Sequence, residues 1–312
     1  MTASLSSPIV VVGAPRSGTT LLAESILGKH PEIVYWNEPS YVWKYGNAYR
    51  RSDVLKKEDA TAEIVQVIRK RFSKFLARHE GRRFMEKTPA NALRMPFVLD
   101  VLPNAQVIHV VRDGRDVALS ASREWRGGGS QALDSREKRR AAWPKRVWKM
   151  MKDELDLTNR VQSPWDVIEL PAYARRFWGF LRRQSMGASS VPWGPRFPGL
   201  KSIRKHYSLL ETCALQWDLC IRHARNGCRR LPSSQYHEVR YERLIDTPQE
   251  KVVEIVDFLG IDATPSLIDD LTDAVVTRDL PEWRGTLSMR TLRPIEDLVA
   301  STLLEFGYSL SE

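Results

Sequence analysis

The sequence predicts an α/β fold: a mostly parallel β-sheet flanked by helices on both faces, with a largely helical insert. Three observations predict it. Short runs of β-forming apolar residues alternate with segments of helical period over most of the chain. The runs at residues 9–12 (IVVV) and 106–111 (QVIHVV) are almost wholly apolar, as strands buried on both faces are. Polar residues follow directly after several runs, and in such sheets ligands bind beyond the carboxyl ends of strands. With 312 residues, the chain is long enough for one large domain or two small ones. We read residues 1–312 as a single domain, with residues 123–206 as the insert.

Each element has a local reason. After the strand at 9–12, Gly13, Pro15 and Gly18 punctuate a turn, and Thr19 opens a helix that stops at residues 28–31, GKHP. Residues 33–36 form a second strand, ended by Asn37, Glu38 and Pro39. Residues 58–79 place Ile64, Ile68, Phe72, Phe75 and Leu76 at helical spacing. Residues 82–86 form a third strand, after which Thr88 is the expected N-cap and Pro89 the first helical residue. Pro96 kinks or splits the helical region that follows. The strand at 106–111 turns through residues 112–116 (RDGRD) into a helix reaching about residue 125. Helix resumes near residue 208, a strand spans 236–241, and Thr247-Pro248 and Thr264-Pro265 start two more helices. A last helix is expected from about 294 to 306. There is no internal repeat.

The net charge of +10 is concentrated. Residues 123–206 hold 19 Lys and Arg against 8 Asp and Glu, and six of the ten tryptophans. Three readings of this tract stand side by side. It is a helical lid with its aromatics packed inward, or an acceptor-binding surface of Trp faces and Arg forks, or a patch attracted peripherally to an anionic membrane. No run reaches the length of a membrane span, and the amino terminus lacks a basic leader region, so a cytoplasmic chain is expected. Cys213, Cys220 and Cys228 match no metal spacing and read as incidental buried thiols.

The chemistry gathers at residues 9–22, IVVVGAPRSGTTLL. A strand, a glycine-containing turn and a helix N-terminus converge backbone N–H groups and the positive end of the helix dipole on one point. Arg16 adds a fork of donors suited to phosphate or sulfate oxygens. The segment is P-loop-like, but Thr19 stands where GxxxxGK[ST] requires Lys. PRSGTTLL resembles the 5′-phosphosulfate loop of sulfotransferases, which use 3′-phosphoadenosine 5′-phosphosulfate (PAPS). A second segment, residues 106–122 (QVIHVVRDGRDVALSAS), resembles the stretch by which that family binds the donor's 3′-phosphate. It has a strand ending in Arg112, then Ser120 eight residues on. Arg112 can pair bidentately with a phosphate; its plain alternative is a salt bridge to Asp113 or Asp116.

With NEP at 37–39, EKTP at 86–89 and LPEWRGTLS at 280–288, the set most resembles bacterial sulfotransferases related to tyrosylprotein sulfotransferases. The resemblance spans roughly residues 8 to 125 and 208 to 309. It implies a PAPS-dependent sulfotransferase making a sulfate ester on a hydroxyl, with 3′-phosphoadenosine 5′-phosphate (PAP) as product and no metal. It further implies Arg16, Ser17, Gly18, Thr19 and Thr20 at the 5′-phosphosulfate, Arg112 and Ser120 at the 3′-phosphate, and Trp283 and Arg284 in a segment closing over the nucleotide. Glu38 is the implied general base, with His109 as a rival. Lys87 is either catalytic, at the transferred group, or a surface lysine beside Glu86. The acceptor is a carbohydrate, lipid, peptide tyrosine or natural product, and no nucleic acid is expected as partner. Two other functions fit parts of the sequence. One is an ATP-dependent small-molecule kinase, which Thr19 speaks against. The other is a non-enzymatic module binding polyanions through residues 123–206.

Overall fold

A computed structural model describes residues 5–79, 82–126, 193–276 and 281–311. The chain divides into two compact units: residues 1–40, 51–122 and 194–312 form the first, and 41–50 with 123–193 form the second. In the second unit, residues 42–50 run through tight turns; Tyr45, Asn47 and Arg50 donate backbone N–H groups to the carbonyls of Val42, Lys44 and Asn47. Most of the basic, tryptophan-rich tract, residues 127–192, lies outside the described residues.

Among the described residues, the first unit is built on five strands: β1 (Ile9–Gly13), β2 (Ile33–Asn37), β3 (Arg83–Lys87), β4 (Gln106–Val111) and β5 (Tyr236–Arg240). They form one sheet in the order β2-β3-β1-β4-β5, every neighbouring pair parallel. The helices are α1 (Ser40–Trp43), α2 (Ala62–Ala77), α3 (Met95–Val101), α4 (Gly114–Trp125), α5 (Leu200–His206), α6 (Leu209–Cys228), α7 (Tyr241–Asp246), α8 (Pro248–Leu259), α9 (Pro265–Thr272), α10 (Glu282–Thr286) and α11 (Met289–Glu305).

Successive strand side chains point to opposite faces, so both faces need cover. Ile9 and Val11 of β1, with Met85, Ile108, Val110 and Val239, pack on Leu22 and Ile26 after β1 and on residues of α7, α8 and α9. Across the other face α6 lies against β1 and β4, and α11 packs on α6. All of Ile9–Gly13 is buried. Burying each large apolar side chain contributes roughly 1.5–3 kcal/mol, so Ile9, Val10, Val11 and Val12 anchor the strand that carries the first turn.

Several local expectations shift. Pro96 splits the region after β3 into a 3-10 turn, Pro89–Leu93, and α3. Thr88 makes no capping bond; its hydroxyl donates instead to Glu86 Oε2 at 2.7 Å. Tyr241 starts α7 rather than ending β5. Helix α5 precedes the helix expected from residue 208, and α10 was not expected. Helix α11 starts at Met289, with Pro294 inside it. Ser208 and Glu211 form a reciprocal capping box at the start of α6. The three cysteines are buried free thiols, and burial pushes the Cys228 thiol up to about 12.

Candidate active site

Strand register assembles the site. Gly13 lies level with Val110, Asn37 with Lys87, and Val111 with Arg240. The residues that end or follow these strands therefore meet at one edge: the turn from 14 to 20, then Glu38, Lys87, Arg112 and Tyr241. This is the carboxyl edge, where the strand order reverses at β1 and open parallel sheets bind ligands.

The turn after β1 is tight. Ser17 N–H donates to Ala14 O at 3.1 Å, and both Arg16 (φ 74°) and Gly18 (φ 94°) are left-handed. Gly18 packs against the Tyr241 ring; a Cβ there would come within 2.2 Å of Tyr241 Cδ2. The helix that follows opens with a π-helical stretch, Leu21–Ile26, a geometry frequent at functional sites. Thr19 is buried and Thr20 exposed. Ser17 is buried, and its Oγ has no hydrogen-bond partner.

Arg112 is held on three sides. Its Nη1 donates to Arg16 O at 3.3 Å, its Nη2 to Asp116 Oδ2 at 3.3 Å, and its guanidinium lies 4.5 Å from the centre of the Tyr241 ring. Its Nε is buried without a partner. Of the two salt bridges open to Arg112, Asp116 takes one, while Asp113 pairs with Arg115 at 2.8 Å. Ser120 faces the turn: Arg16 Nε donates to Ser120 Oγ at 3.0 Å.

Glu38 and Lys87 form one unit. Glu38 N–H donates to Lys87 O at 3.1 Å, and Lys87 Nζ donates to Glu38 Oε1 at 2.5 Å. The lysine side chain is 2% exposed and the carboxylate 48%, so the pair is anchored from below and open above. Glu38 has φ 47°, a strained left-handed backbone. His109 lies elsewhere. It is fully buried on β4, its Nδ1 sits 2.8 Å from Tyr236 OH, and burial, with Arg225 and Arg240 nearby, depresses it to about 3.

Trp283 is buried, and Arg284 on the same short helix is exposed. Trp283 N–H donates to Asp116 Oδ1 at 2.9 Å and its Nε1 to Asp113 Oδ2 at 3.1 Å, while Arg115 covers the ring at 4.1 Å. Glu242 accepts the Asp113 N–H at 2.9 Å, and burial raises its carboxyl above the usual range. Among the described residues no group of three or more His, Cys, Asp or Glu could hold a metal ion. No helix there is long and apolar enough to cross a membrane.

Against this geometry, the model of the family described as "Sulfotransferase family" matches residues 8–163 and 195–265. The chain belongs to the sulfotransferase family. It is thus a member of a family of enzymes, and this replaces the kinase and polyanion-module readings. Among relatives, a Caenorhabditis briggsae protein named "Putative protein-tyrosine sulfotransferase" is 25% identical over 97% of this chain and 89% of its own length. An uncharacterized protein of Aquifex aeolicus (strain VF5) is 34% identical over 125 residues, 36% of this chain; the match spans 16% of that protein. Two solved structures share the sulfotransferase fold. The sulfotransferase domain from the curacin biosynthetic pathway has a TM-score of 0.56 at 14% identity, covering 98% of this chain and 99% of that one. The sulfotransferase STF9 from Mycobacterium avium has a TM-score of 0.53 at 11% identity, covering 99% of this chain and 79% of that one.

Two residues gain a place that sequence reasoning did not assign. Tyr241 lies between Gly18 and Arg112, and Asp116 connects Arg112 to Trp283. Tyr241 carried a signal, since it follows β5 directly and so falls on the same edge. Asp116 was visible only as a salt-bridge partner.

Proposed function

We propose that the chain moves a sulfuryl group from PAPS to a hydroxyl of an acceptor, with Glu38 taking the hydroxyl proton. The observation that carries this reading is the Arg16–Ser120 hydrogen bond. It joins the loop that would hold the 5′-phosphosulfate to the helix that would hold the 3′-phosphate. The lining also suits a polyanion. Ser17 Oγ and Arg112 Nε are buried without partners, and an unsatisfied buried polar group costs about 1–3 kcal/mol. PAPS, when bound, supplies an activated sulfuryl group and leaves as PAP.

In this reading the backbone N–H groups from 18 to 20 face phosphate oxygens, since a helix's first turn leaves its N–H groups without intrahelical acceptors, while Ser17 N–H is already taken by Ala14 O. Arg16 neutralises charge on the transferring group, and Arg112 with Ser120 grips the 3′-phosphate. Trp283 backs Arg112 through Asp116, and exposed Arg284 on the same helix reaches for the nucleotide. Lys87 holds one oxygen of Glu38, leaving the other to accept the acceptor's proton, and adds positive charge beside the transfer. The reading calls on no metal. The name of the C. briggsae relative favours testing tyrosine peptides first among carbohydrate, lipid, peptide and natural-product acceptors.

The test is Glu38→Gln, assayed by calorimetry with PAP and ATP and by transfer from PAPS read by mass. PAP affinity is expected to hold within about twofold while turnover falls by about 10²–10⁴, the usual worth of a general base. Near-wild-type turnover would move the base elsewhere. Tighter binding of ATP than of PAP would overturn the donor.

A further inference from the structure

We infer that Asp116 is a positioning residue of the donor site: one buried carboxylate both orients the Arg112 guanidinium and ties it to the Trp283 segment. What Arg112 binds rests on the donor reading above; the link itself rests on hydrogen bonds alone.

Asp116 is fully buried in the first turn of α4, one helical turn beyond Arg112. A carboxylate so placed loses its water and keeps its place only if both oxygens are used. Both are. Oδ2 accepts from Arg112 Nη2 and Oδ1 from the backbone N–H of Trp283. Burial raises its carboxyl above the ordinary range, while the Arg112 charge and the Trp283 N–H pull it back. The neighbouring charges are committed elsewhere, since Arg115 pairs with Asp113 and Glu296. Asp116 is therefore the acid against Arg112, and it fixes the guanidinium through Nη2 while Nε stays without a partner.

The same carboxylate docks α10. Trp283 is held by its backbone N–H on Asp116, its indole N–H on Asp113 and its ring face on Arg115. Moving α10 releases Oδ1 and loosens the group that sets Arg112. Turning Arg112 toward a ligand likewise reaches Trp283. The grip of Arg112 and the placement of α10 are one equilibrium with two readouts.

Asp116→Asn keeps the shape and converts one acceptor into a donor. If its oxygen faces Trp283 N–H, its amide nitrogen meets Arg112 Nη2, donor against donor; the flipped amide breaks the other bond. One link fails in either pose. Hydrogen exchange across residues 281–287 of the free protein, with α8 as a folded reference, is measured for wild type, Asp116→Asn and Arg112→Lys. Calorimetry with PAP is run beside it. Both variants are expected to speed exchange across 281–287 by about tenfold while α8 is unchanged. Asp116→Asn is expected to weaken PAP binding about tenfold or more, with kcat at saturating PAPS little changed. Unchanged exchange across 281–287 in both variants overturns the link, and so does PAP affinity in Asp116→Asn within about twofold of wild type. Wild-type protein that ignores PAP overturns the donor reading instead, and the link is then judged by exchange in the free protein. Should Asp116→Asn fail to fold, Arg112→Lys carries the same exchange measurement.

Discussion

Glu38 offers a test in which the backbone, not the side chain, decides the outcome. At φ 47° it is left-handed without being glycine, a conformation that costs a residue with a Cβ about 1–2 kcal/mol. Three contacts hold it there: its N–H on Lys87 O at 3.1 Å, its carbonyl under Ser40 N–H at 2.6 Å, and its carboxylate on Lys87 Nζ at 2.5 Å. Consider Glu38→Ala and Glu38→Gly. Both remove the carboxylate and leave the Lys87 ammonium buried without its partner, so that loss cancels between them. The alanine variant keeps the strain. The glycine variant sheds it but has more unfolded-state freedom to lose, about 0.5–1 kcal/mol. The difference leaves Glu38→Gly more stable than Glu38→Ala by about 0.5–1 kcal/mol, the reverse of the order in helix and strand interiors. Urea unfolding of the two variants reads this directly as a difference in midpoint at a shared slope. An alanine variant as stable as the glycine variant, or more so, would refute the reasoning.

Gly18→Ala meets both a left-handed backbone and the Tyr241 ring, 2.2 Å from the new Cβ, so the ring that backs Arg112 must move. The expected loss is about 2–4 kcal/mol of stability together with PAP affinity, and full retention of both in unfolding and calorimetry would contradict the packing. His109 is neutral in the folded state down to about pH 3 but titrates near 6.5 when unfolded. The unfolded chain therefore binds the extra proton between those values, and stability present above about pH 6.5 is lost as pH falls toward 3. His109→Gln is expected to flatten that slope by up to about 1.4 kcal/mol per pH unit; unfolding at pH 5 and pH 7 with equal slopes in both proteins would show that His109 does not contribute.

The sheet was legible because strands buried on both faces leave continuous apolar runs, and the residue after each run falls at the same edge. That reasoning finds Glu38, Lys87 and Arg112 without knowing the strand order. It cannot find partners. Arg16 meets Ser120 across 104 residues and Asp116 meets Trp283 across 167, and nothing local to either residue announces the other. Thr88 misled for a related reason. Its sequence context is that of an N-cap, but Glu86 two residues earlier lies on the same side of the extended chain and takes the hydroxyl. Pro294 misled because proline marks helix starts, although here it lies five residues inside α11.

Backbone strain was the least visible property of all, because residue type argues against it. Among the described residues three that are not glycine have positive φ, and two of them are Arg16 and Glu38. Glycine would relieve either position but carries no guanidinium and no carboxylate. Strain persists where the surrounding structure holds it, and it clusters at active sites. Here the holding groups are identifiable: Ser120 on the Arg16 side chain, Arg112 on its carbonyl, and Lys87 on both ends of Glu38. The residues nominated for their chemistry are thus also those whose conformation depends most on their neighbours. Variants of Ser120 or Lys87 should therefore disturb the backbone of the site as well as its charge.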